Sequence, residues 1–238
     1  MMNAPHARAP VPALSVIVPV APGDTTWRQL LPDLGALRMG AEVIVVQADH
    51  QEISAPHGWP AHLVLRLYRA PAGRARQQNV GAAVARGDML WFVHADSRLP
   101  ARTLLVLERY LEGPADALAF FDLRFATDGP RLAFLNAWGA NLRSRWFGLP
   151  FGDQGLLLPR VRFEALGGFD ETLGKGEDHL LVWQARHSGL PLRSLNAPIL
   201  TSARTYIRGG WLRTTVRHAV LTLAQIRHAR RILRGRRS

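Results

Sequence analysis

The sequence predicts an α/β fold, with a mostly parallel central sheet flanked by helices and a basic helix at the carboxyl end. Short apolar runs rich in β-formers lie at 14–20, 42–47 and 89–93. Turn-forming residues bound each run, which is typical of strands buried on both faces of a sheet. Helical patterns lie between them at the spacing of right-handed crossovers. The 238 residues suffice for one sizeable domain.

The remaining elements continue this alternation. Thr25 or Thr26 is a suitable cap for the first helix, whose apolar face consists of leucines, and Gly40 ends it. The other predicted strands are 62–67, 116–125, 156–158 and 192–201, and the predicted helices are 25–38, 73–86, 102–112, 132–147, 161–166, 174–187 and 211 onward. The aromatic residues of the helix at 132–147 favour core packing or a hydrophobic wall over base stacking.

Composition limits the chemistry. The chain contains no cysteine, so a metal ion would need oxygen or nitrogen ligands. Residues 1–178 are electrically neutral, whereas 179–238 hold 12 arginines and no acid, which accounts for the net charge of +12. This asymmetry implies an anionic partner, which could be phospholipid, nucleic acid or a phosphorylated substrate.

The basic segment 211–238 partly follows a helical period, with arginines between apolar positions. Such a helix can lie on an anionic membrane, or pack on the domain with a solvated arginine face, and the two can coexist. The Pro- and Ala-rich segment 1–13 has no signal-peptide core and is expected to be a disordered lead-in. With no apolar run of about 18 residues, we expect a cytoplasmic protein that the basic helix could hold on the inner face of the cell membrane.

A candidate site follows the strand at 89–93. His94, Ala95 and Asp96 stand at its carboxyl end, where open α/β sheets bind ligands. A carboxylate there can hold a divalent cation that in turn holds phosphate oxygens. Alternatively, Asp96 caps the helix that starts near Pro100. The first strand is not followed by a G-x-G-x-x-G segment, so an ordinary dinucleotide fingerprint is missing.

Six segments match one family in its own order: 15–20, 42–46, 73–100, 152–171, 176–178 and 200–215. On these segments the sequence resembles family 2 glycosyltransferases of GT-A fold, in particular a small bacterial branch associated with radical-SAM/selenodomain proteins. The resemblance implies one domain at 14–210, with a nucleotide-sugar-binding half at 14–100 and an acceptor half at 101–210.

The resemblance also gives roles to individual residues. Those implied to bind the nucleotide-sugar donor are Pro19, Asp49, Arg74, Asn79, His94, Ala95, Asp96, Arg204, Arg208 and Trp211. Asp49 as a plain turn residue remains an alternative. Independently of the resemblance, Arg74 near a helix N-terminus suits a diphosphate, because guanidinium and free amides both favour anions.

His94-Ala95-Asp96 falls at the family's D-x-D position, with histidine in place of the first carboxylate. The resemblance implies that Asp96 coordinates Mg²⁺ or Mn²⁺ on the donor diphosphate. His94 could add a nitrogen ligand, which would favour Mn²⁺. A contact of His94 with the nucleotide and a packed, hydrogen-bonded His94 are the alternatives.

Glu177 and Asp178 match the E-D pair at which the family keeps its general base. On the resemblance, Asp178 would take the proton of the acceptor hydroxyl. Acids in a first helical turn are also ordinary partners of the helix dipole. Asp153 and Gln154 are expected on the acceptor side.

Together these expectations predict a metal-assisted, inverting transfer of a sugar from a nucleoside-diphosphate sugar to a hydroxyl acceptor. The acceptor could be lipid-linked, and no nucleic-acid partner is expected. The first rival function is binding of nucleic acid or an anionic surface through the arginine-rich end. The second is nucleotidyl transfer, which usually needs a basic Gly-rich loop after the first strand, and VAPGD at 20–24 contains neither lysine nor arginine.

Overall fold

The computed structural model describes residues 13–48, 57–130, 132–203, 207 and 210–235. In this part of the chain one sheet is formed by β1 Leu14–Val20, β2 Ala41–Gln47, β3 Leu63–Arg69, β4 Met89–Phe92, β5 Leu118–Phe125, β6 Leu157–Pro159 and β7 Leu192–Thr201. The strand order is β3-β2-β1-β4-β6-β5-β7. Only β6 runs antiparallel to its neighbours, which confirms the mostly parallel sheet.

The helices are α1 Trp27–Leu34, α2 Arg74–Val84, α3 Ala101–Leu111, α4 Ala133–Phe147, α5 Arg160–Ala165, α6 Glu177–His187 and α7 Trp211–Gly235. The first helix ends earlier than predicted, because after Gly35 the amides of Ala36 and Leu37 donate to carbonyls three residues back instead of four (both 3.1 Å). The next amide, that of Arg38, donates to the Glu108 carboxylate at 2.6 Å. Its entry is held by Asp24, whose Oδ1 accepts from the amide of Thr26 at 2.8 Å.

Helices cover both faces of the sheet. α1 and α3 pack with one set of buried side chains, and α2, α5 and α6 pack with the other. β1 and β2 are buried along their whole length, which agrees with the apolar runs that predicted them. Among the described residues, no helix combines the length and apolarity that crossing a bilayer requires.

α4 differs from the prediction in which side chains it buries. Its buried residues are Ala133, Ala137 and Ser144. Its aromatic side chains, expected as core packing or a hydrophobic wall, are instead exposed: Phe134, Trp138, Trp146 and Phe147. The core-packing expectation is therefore wrong for them, because the small residues already form the contact of α4 with the sheet.

α7 is docked on the body of the protein. Asn136 of α4 donates to the Thr215 hydroxyl at 2.9 Å and accepts from Trp211 Nε1 at 2.7 Å. Gln225 packs against Gly176 at the start of α6. One side of α7 thus packs against the body of the protein, while its other side is exposed. Asp49, Arg204, Arg208 and all but the last residue of the predicted lead-in 1–13 lie outside the described residues.

Close packing of α2 on the sheet gives a test of this architecture. A Cβ added at Gly81 would lie 2.5 Å from Ile17 Cγ2 of β1, so Gly81→Ala is expected to lower the free energy of unfolding by about 1–3 kcal/mol. Gly139→Ala is the matched control, since a Cβ there meets nothing within 4 Å and alanine favours the helix by up to about 1 kcal/mol. Urea unfolding of both variants checks this, and equal midpoints would contradict the packing.

Candidate functional site

A cleft of about 290 Å³ lies at the carboxyl ends of β1 and β4. We call it the strand-end cleft. In the sheet, β2 and β4 lie on opposite sides of β1, so the strand order reverses at this point, which is the usual ligand position in open α/β sheets. Its wall brings together five residues selected from the sequence: Pro19, Arg74, His94, Ala95 and Asp96. Gln77, which the sequence did not single out, also lines it and donates to the carbonyls of Val20 (2.6 Å) and Val46 (2.8 Å).

A second cleft of about 740 Å³ lies between α4, the loop at 151–153 and α7. We call it the helical cleft. Asp153, expected on the acceptor side, lines it, and so does Asp96. Because Asp96 belongs to the walls of both clefts, the two meet at this carboxylate.

Asp96 does not cap α3. The residue before that helix is Pro100, and no side chain caps it. The approach to the helix is instead fixed by Asp33, which accepts from the amide of Leu99 at 2.9 Å and pairs with Arg98. The Thr201 hydroxyl lies 3.5 Å from Asp96 Oδ2. The capping interpretation is therefore wrong, and the ligand interpretation remains.

The guanidinium of Arg74 connects the strand-end cleft with the start of α6. Its Nε donates to Glu177 Oε1, its Nη2 lies 3.8 Å from Asp178 Oδ2, and its Nη1 lies 3.3 Å from His94 Nε2. Burial alone would lower the pKa of Arg74, but the two carboxylates outweigh burial and raise the pKa above its ordinary value. Arg74 is thus a fixed cation in the cleft wall.

Asp178 is held by donors on both oxygens. Gly152 N–H donates to Oδ2 at 2.6 Å and His179 N–H donates to Oδ1 at 2.8 Å. Burial raises the pKa of Asp178, but Arg74 and these amides together lower it by more than burial raises it. The pKa of Asp178 therefore lies below its ordinary value. A Cβ at residue 152 would lie 2.9 Å from both Asp178 Oδ2 and His94 Nε2, so a side chain there would displace the pair.

The environment of Asp153 differs from that of Asp178. Burial raises its pKa to about 6, with Arg143 opposing and Asp178 adding to the shift. Its Oδ1 is buried and has no hydrogen-bond partner among the described residues. Two neighbouring carboxylates, Asp178 and Asp153, therefore differ in their readiness to ionise.

Arg143 completes the charged wall of the helical cleft, and no sequence motif identified it. Its guanidinium lies 3.6 Å from the centre of the Phe151 ring, and its Nε donates to the Leu149 carbonyl at 2.9 Å. Burial lowers the pKa of Arg143, and the attraction of Asp153 only partly offsets this. The helical cleft thus carries a cation beside an acid.

Three residues expected at the site have their polar groups engaged by the protein itself. Asn79 donates to the Phe169 carbonyl (2.8 Å) and accepts from the Phe169 amide (2.9 Å), so it fixes the turn after α5. Gln154 is fully buried and donates to the Phe121 carbonyl at 3.0 Å. The indole of Trp211 donates to α4. In this structure the polar groups of all three side chains are therefore used for contacts within the protein.

The residues present fit a divalent cation only in part. No group of three or more histidine, cysteine, aspartate or glutamate side chains in the described ranges is arranged around a metal position. Asp96 fits a cation such as Mg²⁺, which commonly uses one or two carboxylates and takes its other ligands from phosphate and water. His94 Nε2 does not fit, since it faces the Arg74 cation, although burial lowers the pKa of His94 to about 3 and keeps it neutral.

Solved structures are similar to this chain in fold. Staphylococcus aureus TarS 1–349, in complex with UDP-GlcNAc, has a TM-score of 0.62 to this chain at 18% identity, covering 79% of this chain and 58% of that one. Mannosyltransferase PcManGT from Pyrobaculum calidifontis, in complex with GDP-Man and Mn²⁺, has a TM-score of 0.62 at 20% identity, covering 80% and 57%. The chain has the GT-A fold.

Comparison by sequence finds one curated protein that is similar to about half of this chain. The uncharacterized protein MT1568 of Mycobacterium tuberculosis (strain CDC 1551 / Oshkosh) is 33% identical over 122 residues, which are 49% of this chain and 38% of that protein. No family model matches the chain. The chain spans between 38% and 58% of the length of the relatives named here.

The environment of Asp153 predicts a pH-dependent effect of Asp153→Asn on stability. The native pKa is about 6 against an ordinary value of 3.8, so the native state releases this proton at a higher pH than the unfolded state does. The charged carboxylate therefore costs stability above pH 6, by at most about 3 kcal/mol, and this cost is absent near pH 4. Urea unfolding at pH 7.5 and pH 4 should show a stabilising effect of Asp153→Asn that is larger at pH 7.5, whereas a pH-independent difference would contradict the assignment.

Proposed function

We propose that the protein transfers a sugar from a nucleoside-diphosphate sugar to a hydroxyl acceptor. The observation that carries the proposal is the position of Asp96 on both clefts, because it puts a carboxylate where donor and acceptor would meet. The similar structures were solved with UDP-GlcNAc and with GDP-Man and Mn²⁺, which supports a nucleotide-sugar donor. Assignment to family 2 and to the radical-SAM-associated branch belongs to the same proposal and rests on the matching sequence segments.

The strand-end cleft is the proposed donor site. It is lined entirely by residues from 19 to 96, whereas the helical cleft is lined by Asp96 and residues from 123 to 225, which supports a donor half and an acceptor half. The diphosphate would lie near Arg74, where a guanidinium and the free amides at the start of α2 both attract anions. Asp96 would hold the Mg²⁺ or Mn²⁺, which when bound neutralises charge on the departing nucleoside diphosphate.

The proposed reaction is a single displacement. The acceptor hydroxyl oxygen forms a bond to the anomeric carbon, while the bond from that carbon to the diphosphate oxygen breaks and the nucleoside diphosphate leaves with the electron pair. Asp178 takes the hydroxyl proton, since its lowered pKa keeps it ionised at neutral pH, and two backbone amides and the ion pair with Arg74 fix its orientation. Attack on the face opposite to the leaving group inverts the anomeric carbon.

Asp153 is the alternative proton acceptor. Its Oδ1 has no hydrogen-bond partner in the part of the chain that the structure describes, and Asp153 lines the helical cleft, which both favour it. Its pKa of about 6 gives the two acids different pH signatures. If Asp153 is the base, the rate falls as pH drops through 6. If Asp178 is the base, the ionisation of that base causes no fall until a lower pH.

Metal-dependent donor binding should require Asp96. UDP or GDP with Mn²⁺ is expected to raise the melting temperature of the wild type and not that of Asp96→Ala, because the variant lacks the proposed ligand of the cation. Asp88→Ala is the matched control, since Asp88 is exposed just before the same strand, β4, at its opposite end. Equal shifts in wild type and Asp96→Ala would remove the metal assignment.

Loss of the base should separate turnover from binding. Asp178→Asn is expected to slow release of nucleoside diphosphate from UDP- and GDP-sugars by about 10²–10⁴-fold, while the nucleotide still raises the melting temperature. Asp153→Asn should slow it less. The reverse order of the two variants, together with a wild-type rate that falls below pH 6, would transfer the role to Asp153.

A further inference from the structure

The outward face of α4 has the composition of a buried one. Four large apolar side chains recur at every fourth residue: Phe134, Trp138, Leu142 and Trp146. The exposed fractions of the two indoles are 64% for Trp138 and 79% for Trp146. Because this helix buries alanines and a serine instead, its aromatic side chains contribute little to the folded monomer. Contiguous exposed apolar surface of this kind marks a site of interaction.

α7, which is hydrogen-bonded to α4, also exposes apolar side chains. Leu212, Val216 and Val220 also recur at every fourth residue, and each is more than half exposed. The hydrogen bond between Asn136 and Thr215 fixes the two helices against each other. We call the exposed apolar side chains of α4 and α7, together with the exposed arginines of α7, the α4–α7 face.

The charge of this face is entirely positive on α7. Arg213, Arg217, Arg227 and Arg231 are exposed, and the chain has no acidic residue after Asp178. On α7 the arginines alternate with aliphatic side chains, whereas the indoles lie on α4. Nucleic-acid grooves interleave cations with stacking rings, while a membrane interface accepts aromatic rings and arginines side by side. The arrangement therefore favours lipid.

We propose that the α4–α7 face docks on an anionic lipid bilayer. The indoles and aliphatic side chains enter the interfacial region, and the arginines contact the anionic headgroups. Each arginine near such a surface strengthens binding about fivefold. The occupant is the bilayer itself rather than a second copy of the chain, because two such faces would bring their arginines together.

Docking would also define the acceptor, and this consequence rests on the proposed function. Leu135 of α4 and Leu221 of α7 line the helical cleft and are also partly exposed. The cleft therefore adjoins the docked surface. A hydroxyl acceptor carried by a lipid could reach Asp96 and Asp153 without leaving the bilayer.

Vesicle flotation in the absence of sugar nucleotide tests the docking, so its failure would leave the proposed transfer untouched. The full chain is expected to float with vesicles of phosphatidylglycerol and phosphatidylcholine and not with phosphatidylcholine alone. Arg213→Glu/Arg217→Glu and Trp138→Ser/Trp146→Ser should each weaken binding at least tenfold, and the tryptophan fluorescence should shift to the blue only when docking occurs.

Matched controls come from the exposed surface of other helices. Arg102→Glu/Arg109→Glu on α3 makes the same change in charge, and Val161→Ser on α5 removes an apolar side chain that is 67% exposed. Both should bind within twofold of the wild type, and unchanged melting temperatures confirm that all variants fold. Absence of binding, equal binding by the α3 and α7 variants, or a dimer that Trp138→Ser/Trp146→Ser dissociates without any vesicle binding would each overturn the proposal.

Discussion

One guanidinium, that of Arg74, holds together elements that are far apart in the sequence. It begins α2, meets Glu177 and Asp178 at the start of α6, and faces His94 at the end of β4. The two carboxylate side chains are only 2% and 12% exposed, and buried charges of equal sign do not both remain ionised without a nearby cation. Removing the guanidinium would leave two buried carboxylates without this cation, which is expected to destabilise the fold. The same interaction thus stabilises the fold and builds the wall of the strand-end cleft.

Arg74 affects the pKa values of the two neighbouring acids, Asp178 and Asp153, to different extents. Asp178 lies within the field of Arg74 and receives two backbone amides, so its carboxylate stays charged. Asp153 is turned toward the helical cleft, where burial dominates and the Arg143 cation only partly compensates. Neighbouring carboxyl groups with different proton affinities are the usual means by which one site supplies both an acid and a base. In the proposed transfer the two carboxyl groups would therefore differ in how readily each accepts the proton of the acceptor hydroxyl.

Sequence patterns predicted the sheet, and the edge of it at which the candidate residues meet, because both depend on local periodicity. The bounds of β1 and β7 agree with prediction, and Pro19, Arg74 and His94–Asp96 meet because parallel strands end at one edge. Partners of single polar side chains could not be predicted in this way. Asn79 matched a family position, yet its amide is used by a turn 90 residues away along the chain. Contacts of that range depend on tertiary packing, which spacing does not encode.

In α4, too, tertiary packing could not be predicted from the sequence. Its aromatic content favoured burial, since rings usually dominate cores. The helix instead approaches β5 through Ala133, Ala137 and Asn141, whose amide exchanges hydrogen bonds with the backbone of Leu123 at 2.8 and 3.0 Å. Small residues allow this close approach, and they leave the rings no place except the surface. A helix that gains stability from its alanines gains little from exposed indoles such as Trp146, so their presence is better explained by what binds outside the protein than by the fold.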